Sequence, residues 1–230
     1  MTPEIFLFDF DGTLVDSAPD LAAAANHLRL VRSLPPVPYD KLKVTASSGA
    51  RGLIKAAFDM DPGSPDYEEI VKEFLDYYQD HLADHSGLFP GVQEVLNWFD
   101  DNSIVWGVVT NKHERFTYPL IEALRIHPHV VVCGDTLPER KPSPLPLIYA
   151  AEKVGKDITK GIYCGDDKRD ITAANSAECF SIAAQWGYLG KTNPIGKIIH
   201  FNLPDEEMST KGSTNNEHAY QVAAIIADRE

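Results

Sequence analysis

Two short acidic runs set the chemistry open to this chain. Near its start, Phe6-Leu7-Phe8-Asp9-Phe10-Asp11-Gly12-Thr13 ends an apolar run on two carboxylates. If the run is a strand, its period of two sets Asp9 and Asp11 on one side and Phe8 and Phe10 on the other. Far along the chain, Gly161-Ile162-Tyr163-Cys164-Gly165 leads directly into Asp166, Asp167 and Asp170, again at the carboxyl end of an apolar run. Were the two runs to meet, at least four carboxylates would share a small volume. Each like-charge pair at ~4 Å would then cost about 4 kcal/mol at an effective dielectric near 20. Such a cluster requires a cation, and all-oxygen ligands favour a hard one. A partly hydrated Mg²⁺ shared with a substrate phosphate fits best.

Two further run ends carry groups suited to an anion. Thr110-Asn111 closes Ser103-Ile104-Val105-Trp106-Gly107-Val108-Val109 and offers a hydroxyl and backbone N–H groups. Read alone, Thr-Asn is also an ordinary helix entry. Lys141 lies between Arg140 and Pro142 in Glu139-Arg140-Lys141-Pro142-Ser143-Pro144; a lone lysine there is more often a surface charge.

The elements that must position these groups alternate. Apolar runs Ile5 to Phe10, Ile104 to Thr110, Val130 to Gly134, Gly161 to Gly165 and Phe180 to Ala184 read as buried parallel strands. Helical patterns cover Val92 to Asp101, Glu114 to Leu124, Pro144 to Val154 and Asp170 to Ala177. That order predicts an α/β fold, a Rossmann-like doubly wound parallel sheet with ligands at the carboxyl ends of its strands. After the first strand, however, roughly seventy residues pass before alternation resumes, against about 2–6 for a usual connection. Helical patterns at Ser17 to Leu34, Gly52 to Asp59 and Asp66 to His85, broken by Pro35-Pro36-Val37-Pro38, make this an inserted small α-helical cap. The expected division is residues 1–15 and 87–205 for the core, 16–86 for the cap, and 206–230 for a polar linker and C-terminal helix. Hinges are expected near Asp16 and around Ser86 to Pro90.

Composition narrows the partners. Lys and Arg number 21 against 34 Asp and Glu, a formal charge of −13, which disfavours nucleic acid and anionic membranes. An anionic substrate must then be held by local positive charge. No apolar run reaches transmembrane length, and the first residues do not read as a secretory signal, so a cytoplasmic protein is expected. The three cysteines match no metal motif and read as reduced core thiols. A small phosphorylated metabolite is the expected partner, with the chain a monomer or weak homodimer.

Asp9-x-Asp11-Gly12-Thr13, Thr110-Asn111, Lys141-Pro142 and Gly165-Asp166-x3-Asp170 occur in the order found in the haloacid dehalogenase-like superfamily, which the chain resembles as far as about Leu203. The resemblance implies that Asp9 is a nucleophile forming an aspartyl-phosphate, and that Asp11 is the acid/base serving the leaving oxygen and then water. It further implies that Asp9, Asp166 and the Asp11 carbonyl ligate Mg²⁺ with Asp170 in support, while Thr110 and Lys141 hold the phosphoryl oxygens. Within the superfamily the chain looks like the phosphoglycolate phosphatase branch. More closely, its runs from Ser47-Ser48-Gly49-Ala50-Arg51-Gly52 to Gln185-Trp186-Gly187-Tyr188 resemble bacterial N-acetylmuramic acid 6-phosphate phosphatases. Both substrates carry a carboxylate, for which Arg51 is the expected recognition element, with Ser48, Gly49 and Asn111 as further expected substrate-binding residues. A phosphomutase of the same superfamily, or a binding module with a degenerate site, is the alternative. Two departures stand out: Ala177-Glu178 where relatives often have a small residue and glycine, and Asp167, read as facing solvent rather than the metal. Lys112, His113 and Lys168 are weaker candidates beside the motifs.

Overall fold

The computed structural model describes residues 3–188 and the backbone of residues 197–199. In chain order the strands are β1 (Phe6–Phe8), β2 (Val15–Asp16), β3 (Gly87–Leu88), β4 (Trp106–Val109), β5 (Val130–Val132), β6 (Ile162–Gly165), β7 (Phe180–Ala184) and β8 (Lys197–Ile199). The α-helices are α1 (Ala18–Val31), α2 (Tyr39–Lys43), α3 (Gly49–Phe58), α4 (Tyr67–Asp80), α5 (Val92–Asp101), α6 (Glu114–Leu124), α7 (Leu145–Lys153) and α8 (Lys168–Ser176).

The five runs expected to be strands form one parallel sheet, which β8 extends, in the order β5-β4-β1-β6-β7-β8. Both faces are covered, which is why the strands are apolar at every position rather than alternately. On one face Phe6 and Phe8 meet Phe99 of α5, with ring centroids 4.7 and 5.9 Å apart. On the other, Leu7, Val109 and Tyr163 pack with Leu147 of α7 and Ala173 and Ala174 of α8. The winding reverses at β1, which lies between β4 and β6. Such a reversal leaves a crevice outside the carboxyl ends of those three strands.

Helices α1 to α4 lie between β2 and β3 in sequence and share one apolar core; Tyr67, Ile70, Phe74 and Tyr78 form the buried stripe of α4 at helical spacing. The chain enters and leaves this helical segment side by side, because β2 pairs antiparallel with β3, Val15 opposite Leu88 and Asp16 opposite Gly87. Buried Asp20 of α1 fastens the exit, accepting from the Ser86 N–H at 2.8 Å, the Ser86 hydroxyl at 2.6 Å and the His85 N–H at 3.0 Å.

Several elements differ from expectation for identifiable reasons. Strand β1 stops at Phe8 because the chain folds into a tight turn, with Gly12 N–H donating to Val15 O and Val15 N–H to Phe10 O. Helix α3 starts earlier than its pattern suggests, so Gly49 to Arg51 lie within it, while Ser47 and Ser48 stay between α2 and α3 in a 3-10 turn over Ala46–Ser48; Gly49 at φ 61° makes the change of direction. Helix α2, β2 and β3 are too short to show a periodicity. The linker and helix expected over 206–230 lie outside the described residues. No described helix is long and apolar enough to cross a membrane. All three cysteines are buried and free.

The Ala177-Glu178 departure has a backbone meaning. Helix α8 ends in a Schellman motif, with the Cys179 N–H bonded to Ala174 O and the Glu178 N–H to Asn175 O. Exposed Glu178 takes the left-handed position at φ 57°, where glycine is unstrained. Glu178→Gly should therefore raise stability by about 0.5–1 kcal/mol, the relief of strain exceeding the added freedom of the unfolded chain. A higher urea midpoint at unchanged slope would show it.

Candidate functional site

Three strand ends converge on one ammonium group. Asp9 follows β1, Thr110 follows β4 and Asp166 follows β6, while α8 brings Asp170 back over the same edge. Lys141 is buried, with its Nζ 2.8 Å from Asp9 Oδ1 and 2.7 Å from Asp170 Oδ1. It also bonds to Val109 O at 2.9 Å and the Tyr163 hydroxyl at 2.7 Å. Burial would lower its pKa, but Asp170 and Asp9 outweigh burial and hold the ammonium above its ordinary value. A lysine in a polar loop, which sequence alone reads as a surface charge, is here the hub of the site.

One carboxylate oxygen from each of Asp9, Asp166 and Asp170 lies within 4.8 Å of the others. Their crowding shows in their affinity for protons. Burial, reinforced by Asp170 and opposed by Lys141, lifts Asp9 from 3.8 to about 7. Burial and then Asp9 push Asp166 well above the usual carboxylate range, against the Tyr188 N–H that donates to its Oδ2 at 2.8 Å. Asp166 Oδ1 is buried without a hydrogen-bond partner among the described residues. Three oxygen donors, one of them orphaned, suit a hard divalent cation. Gly12 is required beside them: it sits at φ 80°, and a Cβ there would come within 2.4 Å of Asp166 Oδ2. Asp170 is already engaged, Oδ1 with Lys141 and Oδ2 accepting from the Asp167 N–H at 2.9 Å.

Because β1 ends early, Asp11 does not point with Asp9 into this cluster. Its carboxylate takes the Ser17 hydroxyl and lies 3.0 Å from Lys112 Nζ through each oxygen. Thr110 Oγ1 accepts from the Lys112 N–H at 3.2 Å and donates to no described residue. Asn111 Nδ2 donates to Lys141 O at 2.9 Å, tying the lysine loop down. Asp167, expected to face solvent, instead caps α8 in a reciprocal box with Asp170. It also takes Arg169 Nε at 2.7 Å; burial works against its ionisation, but Arg169 holds Asp167 below its ordinary value.

The carboxylates form the floor of a cleft of about 870 Å³ between the sheet edge and the helical segment. Seven Lys and Arg against six Asp line it, a local excess of cations in a chain with the opposite balance. Ser48, Gly49 and Arg51 line the helical side, and Arg51 forms no ion pair among the described residues. His113 also lines the cleft, 3.4 Å from Asp135, whereas Lys168 does not.

Several contributors carry no motif. Arg169 donates to Ser47 O at 2.7 Å, joining core to helical segment. The Tyr188 hydroxyl accepts from the Ser17 and Ala18 N–H groups, capping α1, at 2.7 and 2.9 Å. Tyr78 reads as an apolar-stripe residue, yet its hydroxyl is 2.8 Å from Lys112 Nζ. The only signal in the sequence was polarity at buried positions, since a buried Tyr hydroxyl normally has a partner.

Comparison with known proteins agrees with this geometry. The profile of the haloacid dehalogenase-like hydrolase family matches residues 6–184. A phosphoglycolate phosphatase of Xanthomonas campestris pv. campestris is 42% identical over 197 residues, 84% of this chain and 88% of that one. An N-acetylmuramic acid 6-phosphate phosphatase of Pseudomonas aeruginosa is 39% identical over 185 residues, 80% of this chain and 82% of that one. Among solved structures, one described as a predicted phosphoglycolate phosphatase from Haemophilus somnus 129PT superimposes with a TM-score of 0.73 at 30% identity, covering 82% of this chain and 88% of that one.

The raised Asp9 pKa fixes the sign of a pH effect. Between about pH 4 and 7 the metal-free folded protein keeps a proton on Asp9 that the unfolded chain has released. Asp9 thus contributes stability that is fully present below about pH 4 and lost as pH rises through about 7. Urea melts in chelator should show wild type declining more steeply over this window than Asp9→Asn, and a hard divalent cation bound to the cluster should flatten the wild-type curve. Parallel curves for the two proteins would contradict the assignment.

Proposed function

The chain belongs to the haloacid dehalogenase-like hydrolase family, and we propose that it is a Mg²⁺-dependent phosphatase that transfers the phosphoryl group of a small organic monoester to Asp9 and then to water. The observation that carries this reading is the contact of Asp9, at the floor of the cleft, with Lys141 and two further carboxylates.

Asp9 must be ionised to attack phosphorus, and burial opposes that. Lys141 favours the ionised form directly. Mg²⁺, held by Asp9, Asp166 and the Asp11 carbonyl with Asp170 in support, would neutralise the remaining carboxylate charge and that of the transferring phosphoryl oxygens. As Asp9 attacks, the ester oxygen leaves with its bonding pair and takes a proton from Asp11. Water then gives a proton to Asp11 as its oxygen attacks phosphorus, and Asp9 departs as a carboxylate. Thr110, whose hydroxyl proton has no acceptor among the described residues, is suited to a phosphoryl oxygen.

In this reading residues 16–86 are a cap that swings on the β2–β3 ribbon and selects the substrate. Arg51 binds a carboxylate on the far side of the phosphate. The cleft has room beyond a two-carbon acid, which favours an acidic sugar phosphate such as N-acetylmuramic acid 6-phosphate over phosphoglycolate. The three free, buried thiols fit a cytoplasmic setting.

A panel of small phosphates, including both acids, assayed with Mg²⁺ and with chelator, tests the proposal. Release of inorganic phosphate should require Mg²⁺ and fall at least about a thousandfold in Asp9→Asn. Full activity of that variant would rule Asp9 out as nucleophile. Arg51→Ala should lower kcat/KM for the preferred acid by about ten- to a hundredfold, the worth of one charge-assisted hydrogen bond pair. An equal effect on phosphates lacking a carboxylate would remove Arg51 from recognition.

A further inference from the structure

We propose that Tyr78, carried by α4 of the cap, is a positioning residue: acting through Lys112, it fixes the Asp11 carboxylate only while the cap lies against the core. The inference rests on the phosphatase reading and deepens it.

The ammonium of Lys112 is almost completely buried, with 7% of its side chain exposed. Burying an ammonium is costly unless each of its three protons meets an acceptor. Two contacts go to Asp11, at 3.0 Å to each oxygen, and the third to the Tyr78 hydroxyl at 2.8 Å. The set of acceptors is therefore completed by a residue of the cap. Without it, water takes the third position, and the flexible lysine stem holds Asp11 through its two remaining contacts with less fixed geometry.

Packing alone does not account for the hydroxyl. The Tyr78 ring lies against Phe116 of the core and Phe74 of its own helix, with centroids 5.4 and 6.4 Å away, and phenylalanine would fill the same space. Ser17, at the entry to α1, holds the Asp11 carboxylate from another side through its hydroxyl. Asp11 is thus gripped by the chain end of β4, by the cap entry and, through the lysine, by the cap itself.

Fixing Asp11 matters most in the second displacement. There it accepts a proton from water while the water oxygen attacks phosphorus and the bond to Asp9 breaks, its electron pair returning to the carboxylate. With p-nitrophenyl phosphate the leaving group needs little protonation, so the first displacement is spared and the second is not.

The experiment uses the full chain, Mg²⁺ and p-nitrophenyl phosphate, in steady state and by rapid mixing. Tyr78→Phe should lower kcat and KM together by about tenfold and leave kcat/KM within about twofold, because kcat/KM reports only the spared first displacement. It should also show a larger burst of p-nitrophenolate than wild type, as phosphorylated Asp9 accumulates. Lys112→Met should behave alike and Lys112→Arg recover part of the loss, which gives the same readout should Tyr78→Phe not fold. Tyr77→Phe, beside it on α4 but stacked between His27 and His81, should match wild type. Wild-type kcat and burst in Tyr78→Phe, or a change in KM alone, overturns the role of Tyr78. Failure of wild type to hydrolyse any phosphate ester with Mg²⁺ overturns the phosphatase reading instead.

Discussion

The structure is organised around three carboxylates set side by side, two of them fully buried, with one ammonium bonded to Asp9 and Asp170. Asp9, Asp166 and Asp170 repel one another in surroundings where water screens little, and Lys141 offsets only part of that repulsion. The neighbouring structure follows from this. A parallel sheet brings strand ends together without any side chain having to reach far. Glycine at position 12 lets backbone pass against Asp166, and the capping box of α8 fixes Asp170 through its second oxygen. The residual negative charge is what a hard cation would balance, and only with that balance could an anionic phosphoryl group enter beside it.

Much of this was legible in the chain. The strand ends bearing Asp9, Thr110 and Asp166 are marked by apolar runs that stop abruptly at polar residues, a pattern set by burial on both faces. The helices α5 and α6 were bounded to the residue by their periodicity. Local turn chemistry was less readable. Two-fold alternation put Asp9 and Asp11 together, but alternation holds only while the strand lasts, and it ends at Phe8. Asp167 looked solvent-facing because a capping contact depends on where α8 begins.

Least readable were contacts that join distant parts of the chain. Tyr188 donates its N–H to Asp166 and accepts the Ser17 and Ala18 N–H groups on its hydroxyl, linking the acidic cluster to the start of α1. Arg169 reaches from α8 to the Ser47 carbonyl. No spacing in a sequence encodes a bond between residues 171 positions apart. What a sequence does show is the unmet requirement: a phenol, an ammonium or a guanidinium at a position whose neighbours are buried.

The β2–β3 ribbon has one more implication. Because the chain leaves the sheet and returns to it through two adjacent, mutually bonded strands, clasped by Asp20, the helical segment hangs from a single doorway. Whatever is threaded through that doorway can lengthen, shorten or be exchanged without shifting any strand of the sheet. Selection can therefore remodel what the molecule recognises while the machinery below it is inherited intact.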